Sequence, residues 1–85
     1  MSQFEKFLNK LLNKDTVLTF LELEYILSKL GYSERKSGKT SGSRKVYINK
    51  KNNHIIFLHR PHPGNEIKKY VKEYIIDELK KMGLL

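Results

Sequence analysis

Two segments in the first third of the chain carry apolar residues at helical spacing. In the first segment they recur every three to four positions: Phe4, Phe7, Leu8, Leu11 and Leu12. The second segment has the same spacing: Leu23, Ile26, Leu27 and Leu30. Both stripes follow a capping-box pattern, in which Ser or Thr precedes Glu by three positions. The pattern predicts helices over residues 2–13 and 19–30, with Gly31 ending the second.

The centre of the chain switches to short runs of β-branched and aromatic residues. Residues 45–48 and 54–58 are two such runs, and residues 49–53 between them read Asn-Lys-Lys-Asn-Asn, a turn signal. We expect these segments to form a β-hairpin, with His54 as a solvated residue at its turn. Residues 32–36 are predicted to add an edge strand, which a loop containing two glycines connects to the hairpin.

The final third begins with a rigid connector and ends with one more amphipathic segment. Pro61 and Pro63 forbid a helix or a central strand over residues 60–65. Apolar residues at helical spacing then predict a last helix, which Gly83 ends: Val71, Ile75, Ile76, Leu79 and Met82. The order of the elements predicts an α+β fold, with helices on one face of a three-stranded antiparallel sheet. With 85 residues the chain supports one domain, residues 1–85.

Positive charge is concentrated in the middle of the chain. The net charge is +8, and residues 31–60 carry eight Lys and Arg side chains against Glu34 alone, whereas the flanking segments are nearly neutral. A field this one-sided favours a polyanion such as RNA, or an acidic protein, as the partner. The alternative interpretation is a solvated lysine-rich face with no binding role.

The composition excludes several classes of chemistry. The chain has no Cys, so it has no thiol nucleophile, no disulfide and no cysteine-ligated metal. His59 and His62 have a His-x-x-His spacing, but Pro61 between them prevents the helical geometry of such a metal site. We therefore expect no metal or other cofactor. No apolar run approaches the roughly 20 residues of a membrane span, and we expect a cytoplasmic protein without a membrane partner.

The predicted hairpin also specifies which side chains face one another. If residues 50–53 form the loop, Asn49 faces His54, and counting back along antiparallel strands sets Arg44 opposite His59. Cross-strand partners on one face have Cβ atoms about 4.5–5.5 Å apart. The pairing depends on this register, because a slip of one residue would break it.

Three segments in a fixed order carry a resemblance to a known family. They are residues 21–36 (LELEYILSKLGYSERK), residues 41–69 (SGSRKVYINKKNNHIIFLHRPHPGNEIKK) and residues 75–85 (IIDELKKMGLL). In these segments the chain resembles the HicA-type toxins of bacterial HicA–HicB toxin–antitoxin modules. The resemblance implies a fold similar to the double-stranded-RNA-binding domain, metal-independent cleavage of mRNA and neutralisation by a HicB-type antitoxin. It assigns residues 19–85 to the core and leaves residues 1–18 as an additional helix and linker.

The chain departs from the family pattern at one position. In HicA-type toxins an active histidine follows a glycine-serine pair, whereas here Gly42-Ser43 is followed by Arg44. Arginine has a pKa above about 12, so it cannot act as a general base at neutral pH, but it can bind the scissile phosphate. Our hypothesis is that His59 transfers the proton and Arg44 holds the phosphate, with His62 as a third catalytic candidate in the following loop.

Further residues of the central segment are candidates for RNA binding: Arg35, Lys36, Lys39, Ser43, Lys45, Lys50, Lys51 and Arg60. Two other functions use the same surface. One is a module that holds RNA without cutting it, and the other is a DNA-binding or protein-interacting domain. RNA degradation in the presence of EDTA separates the toxin from the first, and salt-dependent RNA affinity separates it from the second.

Overall fold

The computed structural model describes residues 2–35, 44–61 and 64–85. Its elements are α1 (Gln3–Leu12), α2 (Phe20–Lys29), β1 (Tyr32–Arg35), β2 (Arg44–Asn49), β3 (Ile55–His59) and α3 (Lys69–Lys81). The strands form one antiparallel sheet in the order β1-β2-β3. The predicted α+β fold is confirmed, and the arrangement is that of a double-stranded-RNA-binding domain with an additional N-terminal helix.

The first two helices begin at the capping residues that the sequence predicts. The Ser2 hydroxyl accepts a hydrogen bond from the Glu5 backbone N–H at 3.2 Å. At Thr19 both bonds of the capping box are present, since its hydroxyl accepts from the Glu22 N–H and its own N–H donates to the Glu22 carboxylate. Side-chain caps of this kind satisfy N–H groups that have no partner inside the helix, so they fix where the helix starts.

Alternation along the strands gives the sheet two different faces. Tyr47, Ile56 and Leu58 are buried on the face that the helices cover. The opposite face, called the outer face below, carries the alternate residues: Ser33, Arg35, Arg44, Val46, Ile48, Ile55, Phe57 and His59. None of these eight side chains is fully buried.

The core lies between the covered face of the sheet and the helices. Its buried apolar residues form one cluster: Leu11, Leu18, Phe20, Leu23, Ile26, Leu27, Tyr32, Tyr47, Ile56, Leu58, Ile67, Ile75 and Leu79. Every helix and every strand contributes to this cluster. The hydrophobic effect therefore fixes all six elements together, and the outer face lies outside this core.

The N-terminal helix α1 packs on the domain. Leu11 is buried, and the ring of Phe7 meets that of Tyr25 edge to face at 5.3 Å between centroids. The Lys10 ammonium donates to the Glu22 carboxylate at 2.7 Å. Leu11 thus belongs to the core, and Phe4 and Phe7 are partly buried against it.

A buried lysine of α3 holds the C-terminal end of α1. The Lys72 ammonium, whose residue is 4% exposed, donates to the carbonyl oxygens of Lys10 and Asn13, each at 2.9 Å, and to that of Thr16. Burial lowers the pKa of Lys72, and the neighbouring charge of Lys69 adds to the effect. The ammonium adds a charged donor to carbonyl groups at and just beyond the end of α1, where the helix itself supplies none.

The prediction of a solvated His54 is wrong. Its side chain is only 14% exposed and is held from both sides. The distance from His54 Nδ1 to the Tyr32 hydroxyl is 2.6 Å, and that from Nε2 to the Glu78 carboxylate is 3.1 Å. The turn of the hairpin lies against the last part of α3, so His54 joins the sheet to that helix.

Candidate functional site

The hairpin has the register that the turn predicts, and Arg44 lies opposite His59. The turn is closed by hydrogen bonds from the Asn49 N–H to the His54 carbonyl at 2.9 Å and from the Asn53 N–H to the Asn49 carbonyl at 2.7 Å. Asn53 has φ of +59°, a conformation that Asn tolerates better than most residues. This turn excludes the one-residue slip that would separate Arg44 from His59.

The buried side chain of Asn49 anchors the turn to the end of α2. Its amide donates to the Leu30 carbonyl at 3.2 Å and its oxygen accepts from the Lys51 N–H at 3.0 Å. Gly31, with φ of +100°, passes so close that an added Cβ would lie 3.3 Å from the Asn49 amide nitrogen. The register of the hairpin is therefore fixed by the core as well as by its own turn.

Arg44 and His59 form a pair whose side chains approach closely. Backbone hydrogen bonds join Asn49 to His54, so by alternation Arg44 and His59 belong to the positions that exchange no backbone bonds. Such pairs have Cα atoms only about 4.5 Å apart, and their side chains are the closer ones. The geometry brings an arginine and a histidine together on the outer face.

The Arg44 guanidinium is held in place by an aromatic ring. It lies over the ring of Phe57, 5.2 Å from the centroid, on the diagonal next to the pair with His59. Across residues 2–35, 44–61 and 64–85, neither the Arg44 guanidinium nor the His59 imidazole has a hydrogen-bonding partner. Both side chains are exposed, so their polar groups are available to a ligand.

The candidate residues for RNA binding are distributed over different parts of the surface. Arg35 is exposed on the outer face and pairs with Val46, so it lies diagonally across from Arg44. Lys50 and Lys51 are exposed in the turn, at the opposite end of the hairpin from Arg44. Three other candidates for RNA binding, Lys36, Lys39 and Ser43, lie outside the described residues, as does the catalytic candidate His62.

Lys45 lies on the covered face of the sheet instead. Its ammonium forms ion pairs with Glu34 at 3.4 Å and Glu24 at 3.6 Å and lies over the ring of Phe20. The Tyr47 hydroxyl donates to the Glu24 carboxylate beside it. Burial raises the pKa of Tyr47, and this hydrogen bond raises it further. The charge of Lys45 is thus compensated within the protein and separated from Arg44 by the sheet.

Sequence reasoning missed a groove beside the pair. A cavity of about 900 Å³ lies between the free edge of β3 and the start of α3. It is lined by Phe57, Leu58, His59, Arg60, Pro61, Gly64, Asn65, Glu66, Ile67, Lys68, Tyr70, Val71 and Tyr74. The only signal of this groove in the sequence is the presence of two tyrosines in α3, Tyr70 and Tyr74. Tyr70 lies directly beside the apolar stripe of that helix.

Two features of other functional classes are absent from the described residues. In the part of the chain that the structure describes, no three His, Asp or Glu side chains come together as metal ligands. Among the same residues, no helix has the length and apolarity needed to cross a membrane.

A comparison with known protein families matches most of the chain. Residues 21–84 match the family model described as the HicA toxin of bacterial toxin-antitoxin. No curated protein and no solved structure matches the chain. The matched range includes the sheet, the Arg44–His59 pair and α3, and it excludes α1.

Proposed function

The chain belongs to the HicA toxin family of bacterial toxin–antitoxin modules, and we propose that it acts as a metal-independent endoribonuclease on mRNA. The observation that supports the proposal is the juxtaposition of Arg44 and His59 on the outer face, both exposed. Cleavage of RNA by its own 2′-hydroxyl needs a group that takes a proton and a cation that binds the phosphate. The pair supplies one of each.

In the proposed reaction His59 is the general base. The imidazole takes the proton of the 2′-hydroxyl while that oxygen forms a bond to the adjacent phosphorus. The bond from phosphorus to the 5′-oxygen breaks, and the leaving oxygen takes a proton from water. The products are a 2′,3′-cyclic phosphate and a 5′-hydroxyl end. Imidazole suits this role because its ordinary pKa, about 6.5, lies near neutral pH.

Arg44 is assigned to the phosphate. A guanidinium stays charged at any pH of interest and presents parallel N–H donors to two phosphate oxygens. The Phe57 ring under Arg44 limits the orientations of the guanidinium, so less conformational freedom is lost on binding. Arg35 on the same face extends the positive surface along the RNA backbone, and Arg60 follows directly after β3 and lines the groove beside it.

The antitoxin is proposed to be a HicB-type protein that covers this face. A partner with acidic groups over Arg35 and Arg44 would compensate exposed cations that no carboxylate of the described strands accompanies on the outer face. Covering the pair also removes His59 from the RNA. This mode of neutralisation predicts that the antitoxin and RNA compete for one surface.

The test is RNA cleavage by purified protein in the presence of EDTA. Wild type is expected to cut, and His59→Ala to lose cleavage while keeping RNA affinity. Lys14→Ala, which removes an exposed cation of the linker between α1 and α2, serves as the control. Cleavage by His59→Ala at the wild-type rate would contradict the assignment, and the circular dichroism spectrum of each variant checks folding.

A second candidate function is RNA binding without cleavage. The specific observation in its favour is Arg44, which stands where the family pattern has a histidine. This function predicts that wild type leaves RNA intact and binds it with an affinity that falls steeply with salt. The EDTA experiment distinguishes the two, since they differ in whether the RNA is cut.

A further inference from the structure

The groove beside β3 combines exposed aromatic rings with positive charge. Tyr70 is 69% exposed and Phe57 47% exposed, and both line the groove. Arg60 and Lys68 also line it, against one acidic residue, Glu66. Apolar surface exposed beside a groove and rimmed by polar groups is a feature of ligand-binding sites, and cations around it favour an anionic ligand.

The groove is continuous with the Arg44–His59 pair. Phe57 and His59 line it, and Phe57 is the ring on which the Arg44 guanidinium lies. A nucleotide whose phosphate binds Arg44 therefore has its neighbouring base within reach of the groove. The volume of about 900 Å³ is that of a site for one small ligand, large enough for a single base with its sugar.

The wall formed by β3 also carries backbone groups that can recognise a base. Phe57 and His59 are at positions whose N–H and carbonyl groups point away from β2, towards the groove. The Phe57 N–H already donates to the Tyr74 hydroxyl at 3.2 Å, which fixes the tyrosine ring against the strand. The remaining groups of this free edge have the donors and acceptors that base edges need.

We propose that this groove binds one unstacked nucleobase of single-stranded RNA, with Tyr70 as the ring on which the base stacks. This proposal rests on the proposed function, because the groove would add a subsite for a base next to the subsite for the phosphate at Arg44. Single-stranded RNA presents bases that stack on aromatic side chains, whereas the bases of a duplex are already stacked on one another. Arg44 covers the Phe57 ring, so Tyr70 has the more accessible surface.

The experiment compares oligonucleotides with and without bases. The probes are short single-stranded 2′-O-methyl oligoribonucleotides of each base, which lack the attacking hydroxyl, and an abasic chain with the same number of phosphates. Stacking contributes on the order of tenfold to affinity per base. Wild type is expected to bind at least one base-carrying probe about tenfold more tightly than the abasic chain, and Tyr70→Leu is expected to lose that preference.

The control variant is Leu21→Ala, which changes a 65%-exposed apolar residue of α2 and should keep the preference for bases. Equal binding of base-carrying and abasic probes by wild type would overturn the groove proposal while leaving phosphate binding intact. An unchanged preference in Tyr70→Leu would also overturn it. If neither probe binds wild type, the proposed function itself fails. If Tyr70→Leu weakens only binding of the antitoxin, the groove is a protein-docking site and the proposal is wrong.

Discussion

The two described histidines of the hairpin, one near each end, have opposite surroundings. His59 is exposed on the outer face, opposite Arg44 and beside an open groove. His54 is held between the Tyr32 hydroxyl and the Glu78 carboxylate, and the Lys81 ammonium binds the same carboxylate at 2.8 Å. The same side chain is thus available to a ligand at one end and used for structure at the other.

The cations of the protein likewise divide into those that the fold uses and those that are exposed to a ligand. Lys72 and Lys45 are compensated by carbonyl oxygens and carboxylates of the fold itself. Among the described residues, Arg44 contacts the ring of Phe57 and no carboxylate, and Arg35 lies on the same outer face. Net positive charge therefore indicates a polyanion partner, but the pairing of each charge decides which residues can meet that partner.

The largest expected effect is a difference between the two histidines. His59→Ala should reduce RNA cleavage by about 10²–10⁴-fold, the contribution of a general base, with little change in stability. His54→Ala should leave the cleavage rate near that of wild type and cost about 1–2 kcal/mol of unfolding free energy, because it breaks two part-buried hydrogen bonds. Cleavage assays and urea denaturation measure the two effects, and a reversed pattern would contradict the comparison.

A structural cation should affect stability and spare the chemistry. Lys72→Met keeps the length of the side chain but removes the charged donor that three carbonyl oxygens at and just beyond the end of α1 share. We expect a loss of about 2–4 kcal/mol in unfolding free energy. Lys80→Met, at an exposed position of the same helix, is the matched control and should be near neutral. Equal stability of the two variants would show that the buried ammonium contributes nothing.

A smaller effect is expected when Arg44 is changed conservatively. Arg44→Lys keeps the positive charge but loses the planar fork that binds two phosphate oxygens and lies flat on Phe57. We expect about tenfold slower cleavage. Lys45→Arg, the corresponding exchange on the covered face, should leave the rate unchanged. A full rate in Arg44→Lys would mean that charge alone suffices at this position.

The smallest expected effect is a loss of stability in acid. For Glu22 burial raises the pKa, but the bonds from Lys10 and Thr19 together outweigh it and hold the pKa below its ordinary 4.5. The bonds from Lys81 and His54 likewise lower the pKa of Glu78. The unfolded chain then binds more protons than the folded one, so stability is complete above about pH 4.5 and falls as the pH drops through the folded pKa values.

Thermal unfolding at neutral pH and near pH 3.5 checks this effect. The melting temperature should fall in acid, and Glu78→Gln should reduce the size of that fall. Glu5→Gln, at an exposed residue of α1, is the control. A melting temperature that rises in acid would contradict the assignment of these carboxylates.

The hairpin register was predictable because its determinants are local. Five turn residues separate two β-branched runs, and the period of two along each strand then sets Arg44 opposite His59. The helices were predictable for the same reason, since their caps and apolar stripes lie within a few positions of one another. The prediction for His54 was wrong because its partners, Tyr32 and Glu78, are more than 20 positions away.

The sequence by itself determined the elements, their order, the concentration of charge and the opposition of Arg44 and His59. These follow from local periodicity and turn chemistry. Only the tertiary structure decided which charges are compensated and that the start of α3 lies beside the free edge of β3, where the groove opens. The physical reason is that burial and pairing depend on packing between elements distant in the chain, which no local pattern encodes.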